Sequence, residues 1–192
     1  MNYTKEEILN LQNDPVFLHE LQRIEKEGVE KSDLIALYDV LDSVLLFERE
    51  ESERVNKIYE EILKIAFQKL HDKLQNRDIF SLDEVSEHLS LRALYEFGID
   101  NFGKKNFEEA KEVFLALSML SDNPEFRGAM QIHLVGVLKK MVFEEFVDEY
   151  IDLESKNDSY FLLYFKDSAN GFLHENRNLI LNAVREIESR KS

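Results

Sequence analysis

The stretch from Leu91 to Pro124, LRALYEFGIDNFGKKNFEEAKEVFLALSMLSDNP, constrains the fold of this chain more than any other. Gly98 and Ala110 stand twelve residues apart, with Leu94, Phe97, Phe102, Phe107, Val113, Phe114 and Leu117 around them at helical spacing. Small residues at those two places let two helix backbones approach closely, and the large apolar groups fill the space on either side of the crossing. The pattern predicts a helical hairpin. Its turn, Gly103-Lys104-Lys105-Asn106, supplies a glycine, two cations for the C-terminal end of the first helix and an Asn that can cap the second with Glu109 three residues on.

The rest of the chain agrees with an all-α fold. Six Gly and two Pro in 192 residues leave few places to break a helix, and neither occurs between Ser32 and Phe97. A hydrophobic content of 44% excludes wholesale disorder. The formal charge of −15 would repel a nucleic-acid phosphate backbone and favours basic or amphipathic partners. With no cysteine there is neither a disulfide nor a thiolate ligand or nucleophile. The opening MNYTKEEILNLQNDP lacks a cationic start followed by an apolar core, and no run approaches a membrane span, so a cytoplasmic protein without membrane insertion is expected.

Taken in order, Thr4 with Glu7 forms a capping-box pattern, and Asp14-Pro15 repeats the start signal. Phe17, Leu18, Leu21 and Ile24 then make an apolar stripe, with Gly28 as the expected stop. Beyond Ser32, apolar groups recur at Leu34, Leu37, Leu41 and Val44 and again at Val55, Ile58, Ile62 and Ile65, while Glu48 and Glu51 interrupt the seam. One long helix with a polar break and two antiparallel helices turning between Glu48 and Glu53 both fit; charge in the seam favours two. Leu45, Leu46 and Phe47 suit either bundle packing or a homodimer interface through these N-terminal helices. A linker is expected near 76–81, with Ser81 and Glu84 as a capping box, dividing a helical region 1–80 from a domain 81–192. Residues 83–89 form a short helix or the lead-in to the hairpin.

With Gly98 and Ala110 in the small positions, and Phe107 and Phe114 in the aromatic ones, the hairpin resembles a tetratricopeptide repeat. The run FGIDNFGKKNFEEAKEVFLALSMLSD is similar to the first repeat of the type III secretion chaperones of that class, which are acidic and bind translocator proteins in the bacterial cytoplasm. The spacing recurs. Phe143-Glu-Glu-Phe146 repeats Phe107-Glu-Glu-Ala110, with Phe146 in place of the small residue, and Gly171 and Ala183 restore the twelve-residue pair, with Ile180 and Ile187 in the aromatic places. About three hairpins, 91–124, 127–160 and 164–191, are expected to form a short α-solenoid after the N-terminal bundle or long hairpin.

Chemistry is thin in this sequence. The five His are scattered outside any metal-ligand spacing, and no nucleotide, hydrolase or metalloprotease motif occurs, so no catalytic, metal or cofactor site is expected. His133 on an apolar face reads as a packed residue. The resemblance implies a concave surface lined by the first helix of each hairpin: Tyr95, Ile99 and Phe102, then Gln131, Val135 and Leu138, then Phe165, Ser168 and Phe172. Such a groove would hold a protein or peptide with hydrophobic anchors, as a chaperone or adaptor for a type III or flagellar export client does. The alternative is a self-assembling scaffold whose groove is filled internally.

Overall fold

The computed structural model describes residues 4–48, 52–155 and 160–190, and the chain divides into two compact units, 1–70 and 71–192. The described residues are all-helical apart from turns and two isolated bridges. The order is α1 (Lys5–Gln12), α2 (Pro15–Lys31), α3 (Leu34–Val44), α4 (Glu53–Asn76), α5 (Val85–Gly103), α6 (Phe107–Met119), α7 (Pro124–Leu138), α8 (Phe143–Tyr150), α9 (Ser168–Glu175) and α10 (Arg177–Arg190). The unit boundary falls within α4.

In the first unit the local start signals act as read. Thr4 and Glu7 close a reciprocal capping box, and Asp14 accepts from the amides of Val16 and Phe17 with Pro15 in the first turn. Gly28 does not stop α2, which runs on to Lys31 and ends with Ser32 in the left-handed conformation. The glycine serves packing instead: a Cβ there would lie 3.1 Å from the Leu37 side chain, so its absence brings α2 and α3 together. The seam residues Leu34, Leu37, Leu41, Val44, Val55, Ile58, Ile62 and Ile65 are all buried. They belong to two helices, because α3 ends at Val44. The expected turn includes 49–51, which with Glu51 lie outside the described residues. Glu48 sits in that connection, accepting from the Ser52 hydroxyl at 2.7 Å, while Ser52 caps α4 through the Val55 amide. Leu45 is exposed and Leu46 and Phe47 are half-buried.

In the second unit Lys73 ties the end of α4 to the loop that follows, reaching Asp78 at 2.9 Å, the Ile79 carbonyl at 2.7 Å and Glu87 at 2.6 Å. Ser81 is not the cap of the next helix. Phe80, fully buried, pairs its backbone with Leu120 and Asp122 in a parallel bridge, which holds the chain extended here; α5 starts at Val85 under Glu84, which accepts from the Glu87 amide. Residues 85–89 are thus the first turn of the helix that runs through Leu91.

Gly98 and Ala110 are both buried, and a Cβ on Gly98 would meet the Phe114 ring at 3.1 Å and Val113 at 3.3 Å. The turn differs in detail from expectation. Gly103 remains helical and Lys105 takes the left-handed conformation (φ 63°), with the Asn106 amide bonded back to the Asn101 carbonyl. The Asn106 side chain donates to Asn101 Oδ1 at 3.0 Å and caps nothing. The same turn closes α7, with Lys140 at φ 52° and the Met141 amide on the Gly136 carbonyl. At each site the long backward hydrogen bond satisfies a carbonyl at the helix end and offsets the cost of a left-handed non-glycine residue.

Phe146, in the place of a small residue, is accommodated by exchange of bulk between helices. Opposite it stands Gly136, whose added Cβ would come within 2.7 Å of the Phe146 ring and 3.2 Å of Phe102. Gly171, by contrast, is not a crossing point: it is exposed, and a Cβ there would meet nothing within 4 Å. Ala183 is buried, but α9 has only eight residues and α10 begins directly after Asn176. The Ile187 side chain and residues 156–159 of the second expected hairpin lie outside the described set.

Candidate functional site

Many of the large aromatic side chains of the second unit form one connected set of rings. Phe126 meets Phe161 (centroids 5.0 Å), Phe161 meets Tyr95 (5.3 Å), and Tyr95 meets His133 (5.5 Å). His133 passes the contact to Phe146 (5.3 Å), from which one branch reaches Phe102 (5.4 Å) and the other Tyr150 (5.8 Å) and then Phe172 (4.1 Å, stacked). The edge-to-face Phe126–Phe161 and Phe161–Tyr95 pairs and the stacked Tyr150–Phe172 pair each contribute about 0.5–1.5 kcal/mol beyond the area they bury. Among the described residues no group of three His, Asp or Glu is placed to hold a metal ion, and no helix is long and apolar enough to cross a membrane.

Two polar groups lie inside this aromatic set. The Ala129 carbonyl can only accept, so His133 Nδ1, 2.9 Å away, carries the proton and Nε2 is the acceptor. Tyr95 donates to that Nε2 at 3.3 Å, and its oxygen accepts the Leu162 amide at 3.0 Å. A polarised chain therefore runs from the backbone at Leu162 through Tyr95 and His133 to α7. Burial pushes the His133 imidazole down to about 4, and burial also raises the Tyr95 phenol well above its usual range, so both remain neutral near pH 7.

The residues of the expected groove take different places in this arrangement. Tyr95, Phe102, Val135 and Phe172 are buried, and Ile99, Gln131, Leu138 and Phe165 are half-buried. Tyr95 and Phe165 come together against His133. Phe102 lies with Phe107, Phe143 and Phe146, and Phe172 with Tyr150 and the Lys139 ammonium. Leu138 turns to a cleft of about 290 Å³ that it lines with Phe107, Lys111, Leu179 and Ala183. Ser168 is exposed at the start of α9, its hydroxyl on the Glu149 carbonyl.

The expected third hairpin put Tyr164 and Phe165 in its first helix, but α9 starts only at Ser168, and the residues before it belong to a segment lying against Tyr95. Residues 160–165, YFLLYF, are non-helical and connect α8 to α9. Phe161, 1% exposed, contacts Tyr95, Phe126 and His88, while the Arg92 guanidinium covers the Tyr160 ring at 3.7 Å. The available signal was six consecutive apolar residues with no helical stripe, a pattern that suits a buried extended segment as well as a helix. No family model, curated protein or solved structure matches the chain.

Proposed function

We propose that this chain is a non-catalytic protein-binding module of the tetratricopeptide type, a chaperone or adaptor that holds an apolar segment of a partner against α5 and α7. The observation that carries the reading is the chain's own non-helical segment on that face: Phe161 is anchored among Tyr95, Phe126 and His88, and the Leu162 amide is bonded to Tyr95. A surface that accepts an extended stretch through aromatic anchors has the chemistry of peptide recognition. The close approach at Gly98 and the matching turns at Lys105 and Lys140, 35 residues apart, support the repeat reading, whose period is roughly 34. The resemblance of Phe97–Asp122 to secretion chaperones points to an export client.

The burial of Tyr95, Phe102 and Val135 also favours a second reading, a scaffold whose groove is permanently self-filled. The test uses Ile99, half-buried one helical turn after Tyr95 on α5. Ile99→Ser should abolish capture of a defined client from the native cell while helicity is kept. Unchanged capture refutes the groove. A tight oligomer by light scattering that captures no client supports the scaffold.

A further inference from the structure

We propose that Tyr160–Lys166 is a built-in occupant of the α5–α7 face. A partner segment of the same chemistry displaces it: an extended stretch with aromatic side chains at positions i and i+4 followed by a Lys or Arg. The inference rests on the reading of that face as a protein-binding surface and adds what the partner must look like and what it must compete with.

Four observations make this segment ligand-like. Its base is pinned: Ile151 and Phe165 form an antiparallel bridge, with the Asp152 amide on the Tyr164 carbonyl at 3.0 Å and the Lys166 amide on the Tyr150 carbonyl at 2.8 Å. Tyr160–Leu163 lie beyond that pinned end, outside any helix, and can lift about it without unwinding one. Its hold on α5 and α7 is by side chains, through Phe161 on Tyr95 and Phe126 and Phe165 on His133, with the Leu162 amide on Tyr95 as the backbone contact described. Its outer face is partly open, with Tyr164 at 49% exposure, Leu153 at 66%, and Tyr160 at 53% with one side of its ring under the Arg92 guanidinium. A segment serving only to fill the core has no need of such a face. Finally, the exposed side of α8 carries Glu144, Glu145, Asp148 and Glu149, and Lys166 Nζ donates to the Asp148 carbonyl at 2.5 Å, so the rim selects a cation just after the second anchor.

An occupant tethered to its own site reduces the apparent affinity for any competitor by the fraction of time the site is open. The experiment is fluorescence anisotropy with a fluorescein-labelled peptide of residues 160–167, YFLLYFKD, titrated with the full chain. Phe161→Ser removes the inner anchor, and Leu162→Pro removes the amide given to Tyr95 while leaving both Phe in place. Both variants should keep their helicity and bind the peptide at least about tenfold more tightly than the wild type. A peptide with both Phe replaced by Ser should not bind. Folded variants that bind no more tightly than the wild type overturn the proposal, as does equal binding of the Ser peptide. Loss of cooperative folding in both variants overturns it too, since the segment is then core. Tighter peptide binding without capture of any cellular client leaves this inference standing and removes the chaperone reading instead.

Discussion

Acid titration of His133 offers a quantitative test of the buried polar chain. The imidazole is fully buried, bonded to the Ala129 carbonyl and to Tyr95, and burial depresses its folded pKa to about 4 from an ordinary 6.5. Since the folded pKa lies below the unfolded one, the neutral form is favoured in the fold. The associated stability is fully present above pH 6.5 and is lost as pH falls from there toward 4. A shift of about 2.5 units corresponds to roughly 3 kcal/mol in all, and about 2 kcal/mol of it disappears between pH 7 and pH 5. The assay is urea unfolding followed by far-ultraviolet circular dichroism at half-unit steps from pH 7.5 to 5. His133→Gln is the control, because a Gln carbonyl can accept from Tyr95 and does not titrate. Carboxylates contribute equally to both proteins, so the difference between the two curves isolates His133. The wild type should lose about 2 kcal/mol more than the variant over that range. Parallel curves would refute a buried neutral imidazole and with it the Leu162–Tyr95–His133 chain.

The glycines separate tertiary from local effects. Gly136→Ala places a Cβ 2.7 Å from the fully buried Phe146 ring and should cost about 2–3 kcal/mol, and Gly98→Ala, at 3.1 Å from Phe114, about 1–2 kcal/mol. Gly171→Ala meets nothing within 4 Å and should stabilise by about 0.5–1 kcal/mol, as Ala does in an open helix. Thermal melts of the three variants read the order directly, and a destabilising Gly171→Ala would restore a close crossing there. Lys105 holds φ 63° in the turn after α5, so Lys105→Gly should raise stability by about 1 kcal/mol; a chemical-denaturation midpoint that falls would show the residue is held by more than its backbone.

Much of the helical plan was legible because its causes are local. Thr4 and Asp14 each accept a hydrogen bond from an amide two or three residues on, and such caps are written in adjacent residues. The Leu34–Ile65 seam and the Gly98–Ala110 pair likewise follow from the 3.6-residue period, and their burial agrees with it. What period cannot specify is which cavity receives a given ring. Gly28 and Gly103 looked like helix stops, yet the first makes room for Leu37 and the second stays helical while Lys105 turns. Phe146 looked like a broken repeat until Gly136, ten residues away on another helix, supplied the missing space.

The candidate site shows the same division more strongly. From the sequence alone came the all-α class, the caps, the core stripes and the set of aromatic side chains available for a site. Tertiary structure alone decided that Tyr95 faces its own chain, because its hydrogen-bond partner at Leu162 lies 67 residues further on, and YFLLYF carries no periodicity to announce where it will lie. Local chemistry sets helices through bonds between near neighbours, whereas the filling of a groove depends on volume and polar satisfaction across distant segments, which only the packed chain brings together.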